Sequence, residues 1–144
     1  MLGLPSYGYI SKSTAQRLRT RSKSKKAVKV VDDDGGTEGQ VQFRGLVKQG
    51  ALVRTVLTSP DGITTISFRG GGGFERRWDS CSATPFLRSN TSKQIITYDD
   101  LESLGMKAEF AWKVGMLGVN IFDVHGDTDY WDLTSCIRNR MGLA

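Results

Sequence analysis

The sequence predicts an α+β fold in which a helix-then-strand unit of parallel type sits beside a small antiparallel sheet. Three observations carry this. First, the run from Tyr98 to Asp127 reads as a capped helix, a stop and a short apolar strand ending in polar residues, the order of one βα-barrel step. Second, Leu52–Leu57 and Thr64–Phe68 flank Ser59-Pro60-Asp61-Gly62, a turn signal that predicts a hairpin. Third, Phe74–Trp78, Phe86-Leu87 and Gln94–Tyr98 are short segments of strand-forming residues at close spacing, which suits antiparallel strands with aromatic faces.

Each element follows from local chemistry. The stretch from about Thr20 to Gly39 is polar and charged, with Gly35-Gly36 as a hinge, and is expected to be a mobile loop. Val41, Phe43, Leu46 and Val47 suit a short helix stopped by Gly50, although Val41 and Phe43 also alternate as in a strand; the helix is preferred. Arg69 and the four glycines Gly70–Gly73 end the hairpin, and no P-loop lysine or dinucleotide fingerprint follows them, so they read as a flexible connection and no cofactor is expected.

Asp99 with Glu102 three residues on is a D-x-x-E capping box, and Gly115 supplies the stop. Between them Leu101, Leu104, Ala108 and Ala111 recur at the helical period, and Met106, Phe110 and Val114 widen the stripe that should dock on a sheet. Met116–Phe122 is nearly all apolar, which predicts a strand buried on both faces, with functional groups expected from Phe122 to Asp127. Asp132 stands at the N-cap position of a last helix carrying Leu133, Cys136, Ile137 and Met141.

The chain has 144 residues, 38% of them hydrophobic and 24% charged, with a formal net charge of +5. No apolar run is long enough to span a bilayer, and the N-terminus carries no signal-peptide pattern, so no membrane partner is expected. The basic excess lies in Arg17–Lys29, followed by Asp32-Asp33-Asp34. Clustered cations can attract nucleic acid or acidic proteins, but no recognised nucleic-acid-binding motif accompanies them, and a solvated loop is the preferred reading. Cys81 and Cys136 sit in no metal-ligand spacing and could pair or stay as thiols.

Other constellations carry little chemistry. Ser6 in GLPSYG is one position away from a nucleophile-elbow spacing, so a triad with His125 and an aspartate is disfavoured. Asp123, Asp127, Asp129 and Asp132 could offer oxygen ligands but do not match a calcium-loop pattern, and no metal site is expected.

At Tyr98, Asp99, Asp100 and Ser103 the chain resembles glycoside hydrolase family 18, the chitinase-like barrels, whose last barrel strand follows a segment of the form [YF]-D-D-x-x-S and a helix. Leu2–Ile10, LGLPSYGYI, resembles the family's seventh barrel strand with its G-x-P-x-Y-G ending, and the stretch between looks like the α+β insertion of many members. The order of the pieces matches over nearly the whole chain, with fungal chitinase-like members the most similar in character. The resemblance implies a partial (β/α)8 TIM barrel: residues 1–10 as a barrel strand, 11–97 as the α+β insertion domain, and 98–144 as helix, last barrel strand and C-terminal helix.

The complete family hydrolyses β-1,4-linked N-acetylglucosamine polymers, a glutamic acid protonating the leaving oxygen and the substrate's own acetamido group acting as nucleophile. Its D-x-x-D-x-D-x-E motif does not occur here: the glutamates are Glu38, Glu75, Glu102 and Glu109, none behind that aspartate ladder. No catalytic residue is therefore assigned, and no chitinase activity is expected of this chain alone. A (β/α)8 barrel runs to about 250 residues, so the chain is expected to be the C-terminal portion of such a protein, a truncated product or gene model. Noncatalytic chitin binding is the first alternative, and a basic interaction module the second.

Transferred residue by residue, the resemblance gives four substrate-binding candidates. Tyr7 matches the tyrosine that ends the seventh strand and lines the sugar cleft. Tyr9 stands where many members carry a substrate-contacting arginine. Phe122 occupies the place of the cleft-floor tryptophan, keeping an apolar face without the indole donor. Trp78, in the insertion, could line the cleft wall. Packing in a core or sheet is an equal reading for all four. The implied partner is chitin or an N-acetylglucosamine oligosaccharide, and the implied address is extracellular.

Overall fold

Leu2–Pro5 forms strand β1 and Tyr7–Lys12 forms β2, and the break between them at Ser6 sends the chain into two different sheets. A computed structural model describes residues 1–13 and 27–143. The later elements are β3 (Gly39–Gln42), α1 (Phe43–Lys48), β4 (Leu52–Thr58), β5 (Thr64–Gly70), β6 (Glu75–Asp79), β7 (Thr84–Ser89), β8 (Gln94–Thr97), α2 (Leu101–Lys113), β9 (Val119–Phe122), a 3-10 turn (Val124–Gly126) and α3 (Asp132–Arg140). The class is α+β. β1 pairs in parallel with β9, an antiparallel five-stranded sheet has the order β3-β2-β8-β7-β6, and β4 with β5 makes the expected hairpin.

The antiparallel sheet keeps one face for the core. Ile10, Ile96 and Leu87 stand opposite one another across β2, β8 and β7, and all are buried. The neighbouring row, Tyr9, Thr97, Phe86 and Arg77, points the other way, because successive side chains alternate across a sheet. Sequence pattern anticipated β6, β7 and β8 but not their pairing with β2, which the resemblance had placed wholly in a barrel strand. Val41 and Phe43 satisfy both readings open for them, since the strand runs to Gln42 and the helix begins at Phe43.

The part of the expected mobile loop before Ala27, and most of the basic stretch Arg17–Lys29, lie outside the described residues. From Val28 onward the segment is anchored. Val28 N–H donates to Gly72 at 2.8 Å, and the buried Gln94 amide clamps Val30, accepting from its N–H and donating to its C=O, both at 2.9 Å. A reciprocal amide pair and a fully buried Val30 hold this backbone in place.

The capping box falls one residue later than expected. Asp100, not Asp99, accepts from the N–H groups of Glu102 and Ser103, and Ser103 Oγ accepts from Asp100 N–H at 3.0 Å. Asp99 instead takes Lys107 Nζ at 2.6 Å. The stop is at Gly115, whose φ of +73° suits glycine. Leu104, Ala108 and Ala111 are buried as expected, whereas Met106, Phe110 and Val114 are half exposed because they lie on the side of α2 away from the sheet.

β9 corrects a second expectation. Its strand starts at Val119, and only one face is covered: Val119 and Ile121, with Leu2 and Leu4 of β1, pack on the core, while Phe122 is 66% exposed. Burial on both faces needs a layer on each side, and among the described residues the pair has one. No helix of the described residues is long and apolar enough to cross a membrane.

Asp132 is the first residue of α3 rather than its cap. The capping oxygen comes from Asp127, fully buried, which accepts from Leu133 N–H at 2.9 Å and Thr134 N–H at 2.8 Å as well as from Thr128 N–H at 2.7 Å. Asp127→Ala should cost about 2 kcal/mol, a lost cap plus buried donors left unpaired, measurable as a lower urea midpoint. Asp127→Asn, retaining one acceptor oxygen, should lose less.

Candidate functional site

The C-terminal ends of β1 and β9 meet where β2 begins. Pro5 stands in register with Phe122, and Ser6 N–H donates to the Phe122 carbonyl at 3.0 Å. Beyond that junction Tyr7 and Tyr9 project from the same side of β2, their rings edge to face at a centroid distance of 5.8 Å and an interplanar angle of 88°. Tyr9 is 52% exposed. Tyr7, Tyr9 and Phe122 thus gather around one strand junction with apolar faces open to solvent.

Trp78 does not join them. It lies on β6, three strands from β2, and alternation places it on the side of Arg76 and Pro85, the core-facing side, while Tyr9 points from the other. Its ring carries the Arg76 guanidinium at 5.6 Å, a cation over an aromatic face.

The remaining groups have structural partners. Ser6 is buried, and its hydroxyl donates to the Asp123 carbonyl at 2.5 Å, so its proton goes to main chain rather than to an imidazole. His125 points into solvent. Asp123 accepts from Gly126 N–H at 3.2 Å, Asp127 caps α3, Asp129 pairs with Arg44 at 3.1 Å, and Asp132 is held by Arg54. Four aspartates that are close in sequence are drawn to four different partners, and no group of three or more potential metal ligands converges among the described residues.

Sequence reasoning missed a second feature, a cleft of about 750 Å³ between the β4–β5 hairpin and the facing sides of α2 and α3. Ile66, Phe68, Leu101 and Cys136 supply apolar lining. Arg54 crosses it as a fork, Nε to Asp132 Oδ2 at 2.9 Å and Nη2 to Asp132 Oδ1 at 2.8 Å, with the guanidinium 4.3 Å from the Tyr130 ring centroid. On the other flank Arg76 bonds Asp100 at 2.9 Å and Glu102 at 2.8 Å. Burial pushes the Asp132 carboxyl up, but the hydrogen bonds from Arg54 and Thr128 and the charge of Arg54 outweigh it and hold the group below the usual carboxylate range. Burial raises the Cys136 thiol, whose S–H donates to Leu101 O at 3.2 Å. Arg54 and Arg76 are far in sequence from Tyr130 and Cys136, and the four belong to no local motif, which is why only the folded chain reveals them.

Comparison with known proteins shows what the chain is similar to. No family model matches. Chitinase A1 of Niallia circulans is 33% identical over 55 residues, 38% of this chain and 8% of that protein. A chitinase-like effector of Moniliophthora roreri is 28% identical over 115 residues, covering 79% of this chain and 24% of the effector. Among solved structures, the chitinase-like agglutinin of Robinia pseudoacacia aligns over 98% of this chain and 32% of its own, with a TM-score of 0.59 and 18% identity. Human YKL-39, described as a pseudo-chitinase with retained chitooligosaccharide binding, aligns over 97% of this chain and 34% of its own, with a TM-score of 0.62 and 14% identity. The chain therefore spans about a third or less of the length of each of these proteins. The chain is therefore similar in sequence to chitinases and a chitinase-like effector, and it shares over nearly its whole length the fold of one part of chitinases and chitinase-like proteins.

Proposed function

We propose that the chain is a chitooligosaccharide-recognising portion of a chitinase-like (β/α)8 barrel, and that by itself it does not hydrolyse the glycan. The observation that carries this is the parallel β1–β9 pair, whose C-terminal ends set exposed Phe122 against Pro5 and Ser6, directly before the edge-to-face pair of half-buried Tyr7 and exposed Tyr9. In βα-barrels the ligand-facing groups sit at those strand ends. The aromatic faces can stack on sugar rings, and the outer edges of β1 and β9, without strand partners among the described residues, suit pairing with further barrel strands. On this reading β2–β8 belong to the inserted α+β unit and the address is extracellular. The chain has no glutamate behind the D-x-x-D-x-D ladder, so it supplies no proton donor for the leaving oxygen. An agglutinin and a pseudo-chitinase among the similar folds fit binding that persists without hydrolysis.

Two measurements test it. A fluorogenic chitobioside should stay intact in the presence of the chain, and a rate that survives repurification would overturn the noncatalytic reading. Titration with tetra-N-acetylchitotetraose should show binding that Tyr9→Ala weakens about tenfold, the loss of one stacking face; no binding by the native chain would overturn the recognition.

A further inference from the structure

The cleft between the β4–β5 hairpin and α3 opens from the Arg76 side of the five-stranded sheet, away from the face that carries Tyr7 and Tyr9. At about 750 Å³ it has the size of small-molecule sites, which run to roughly 300–1,000 Å³. Its chemistry is selective. The charged groups lining it are three arginines, Arg54, Arg76 and Arg140, and three carboxylates, Asp100, Glu102 and Asp132, so their formal charges cancel.

That balance argues against an ionic ligand. An anion would meet the carboxylates that already engage Arg54 and Arg76, and a cation would meet the guanidinium groups. What the pairs do offer is fixed hydrogen bonding. Arg54 and Arg76 each use Nε and Nη2 on these carboxylates; Asp132 and Asp100, 2% and 5% exposed, are filled by these and by Thr128, Glu102 and Ser103, so the acceptor open to a ligand is the Glu102 carboxylate, 59% exposed, beside the guanidinium of Arg76. Donors and acceptors set side by side on rigid planar groups match adjacent hydroxyls, which donate and accept at once. Ser135 and Asn139 on α3 and Thr65 and Ser67 on β5 extend this polar rim.

Tyr130 completes the pattern. One face of its ring is covered by Arg54 at 4.3 Å, yet the side chain remains 69% exposed, so the rest of the ring is a platform for the C–H face of a pyranose. We infer that this cleft is a second carbohydrate site, which takes a short neutral oligosaccharide with one ring stacked on Tyr130 and its hydroxyls on the Arg54 and Arg76 guanidinium groups and the Glu102 carboxylate. The site is independent of the Tyr7–Tyr9 face.

The test is amide chemical-shift mapping of the full 144-residue chain, titrated separately with N,N′-diacetylchitobiose, cellobiose and inorganic phosphate. Expected are saturable shifts from at least one of the disaccharides at Ile66, Ser67, Tyr130 and Ser135, with an affinity unchanged by added salt. Tyr130→Ala, at an exposed position, should weaken them about tenfold. Ser135→Trp, which fills the cleft from another exposed position, should abolish them, and Tyr9→Ala should leave them in place. Shifts confined to Tyr7 and Tyr9 would overturn the second site while leaving the first intact. Absence of saturable cleft shifts with both sugars, or salt-sensitive binding of phosphate there in preference to sugar, would overturn it as well.

Discussion

Phe43→Ala should cost about 3–5 kcal/mol, the range for deleting a buried aromatic ring. That is a large share of the roughly 5–15 kcal/mol that holds a domain together. Phe43 is fully buried at the first position of α1 and joins three parts of the fold. Its ring meets Phe68 of the hairpin edge to face at 4.9 Å and Tyr98, the residue after β8, at 6.3 Å. Its N–H donates to Ser6 O at 2.8 Å, at the point where the parallel pair hands the chain to β2. Removing the ring leaves a void at this junction, where backbone from separate elements limits collapse. Urea unfolding should show a lower midpoint with an unchanged slope, and Phe43→Leu, closer in volume, should lose about 1–2 kcal/mol. A loss below about 1 kcal/mol for the alanine variant would mean that the three elements are not joined through this ring.

What the sequence reveals and what it hides divide by range of interaction. The hairpin around Pro60-Asp61-Gly62 and the helix stop at Gly115 were legible because a turn or a cap is a decision among neighbouring residues. The helix start was legible only to within one residue, since Asp99 and Asp100 are both good caps and the choice fell to Ser103, which returns a bond to Asp100, and to Lys107, which takes Asp99. Exposure was harder. Met106, Phe110 and Val114 share the helical period of the buried stripe, and periodicity cannot say how wide a stripe the neighbouring sheet covers. Of the aromatics assigned by resemblance, Tyr7, Tyr9 and Phe122 flank one junction because Ser6 bends β1 into β2 beside the end of β9, whereas the register of β6 with β7 turns Trp78 to the other face. The cleft could not be read at all, as Arg54 and Asp132 are brought together only when the hairpin folds over α3.

Arg54→Met should destabilise the chain by about 3–5 kcal/mol at neutral pH, more than the pair itself contributes, because it strands a buried carboxylate. The Asp132 side chain is only 2% exposed, and its partner Arg54 is 22% exposed. With the fork intact the carboxyl titrates below its ordinary value, so its contribution is fully present above the unfolded pKa of about 3.9 and is lost as pH falls through the lower, folded pKa. Removing Arg54 reverses the sign. Burial then dominates, the folded pKa rises above the unfolded one, and the variant should recover stability relative to the parent as acid neutralises Asp132. Urea midpoints measured from pH 7 to pH 3 should therefore converge. An equal gap at both ends would assign the loss to packing against Tyr130 rather than to charge. The double variant Arg54→Met with Asp132→Leu decides the same point at fixed pH: with no carboxylate left to strand, it should regain much of what the single variant lost.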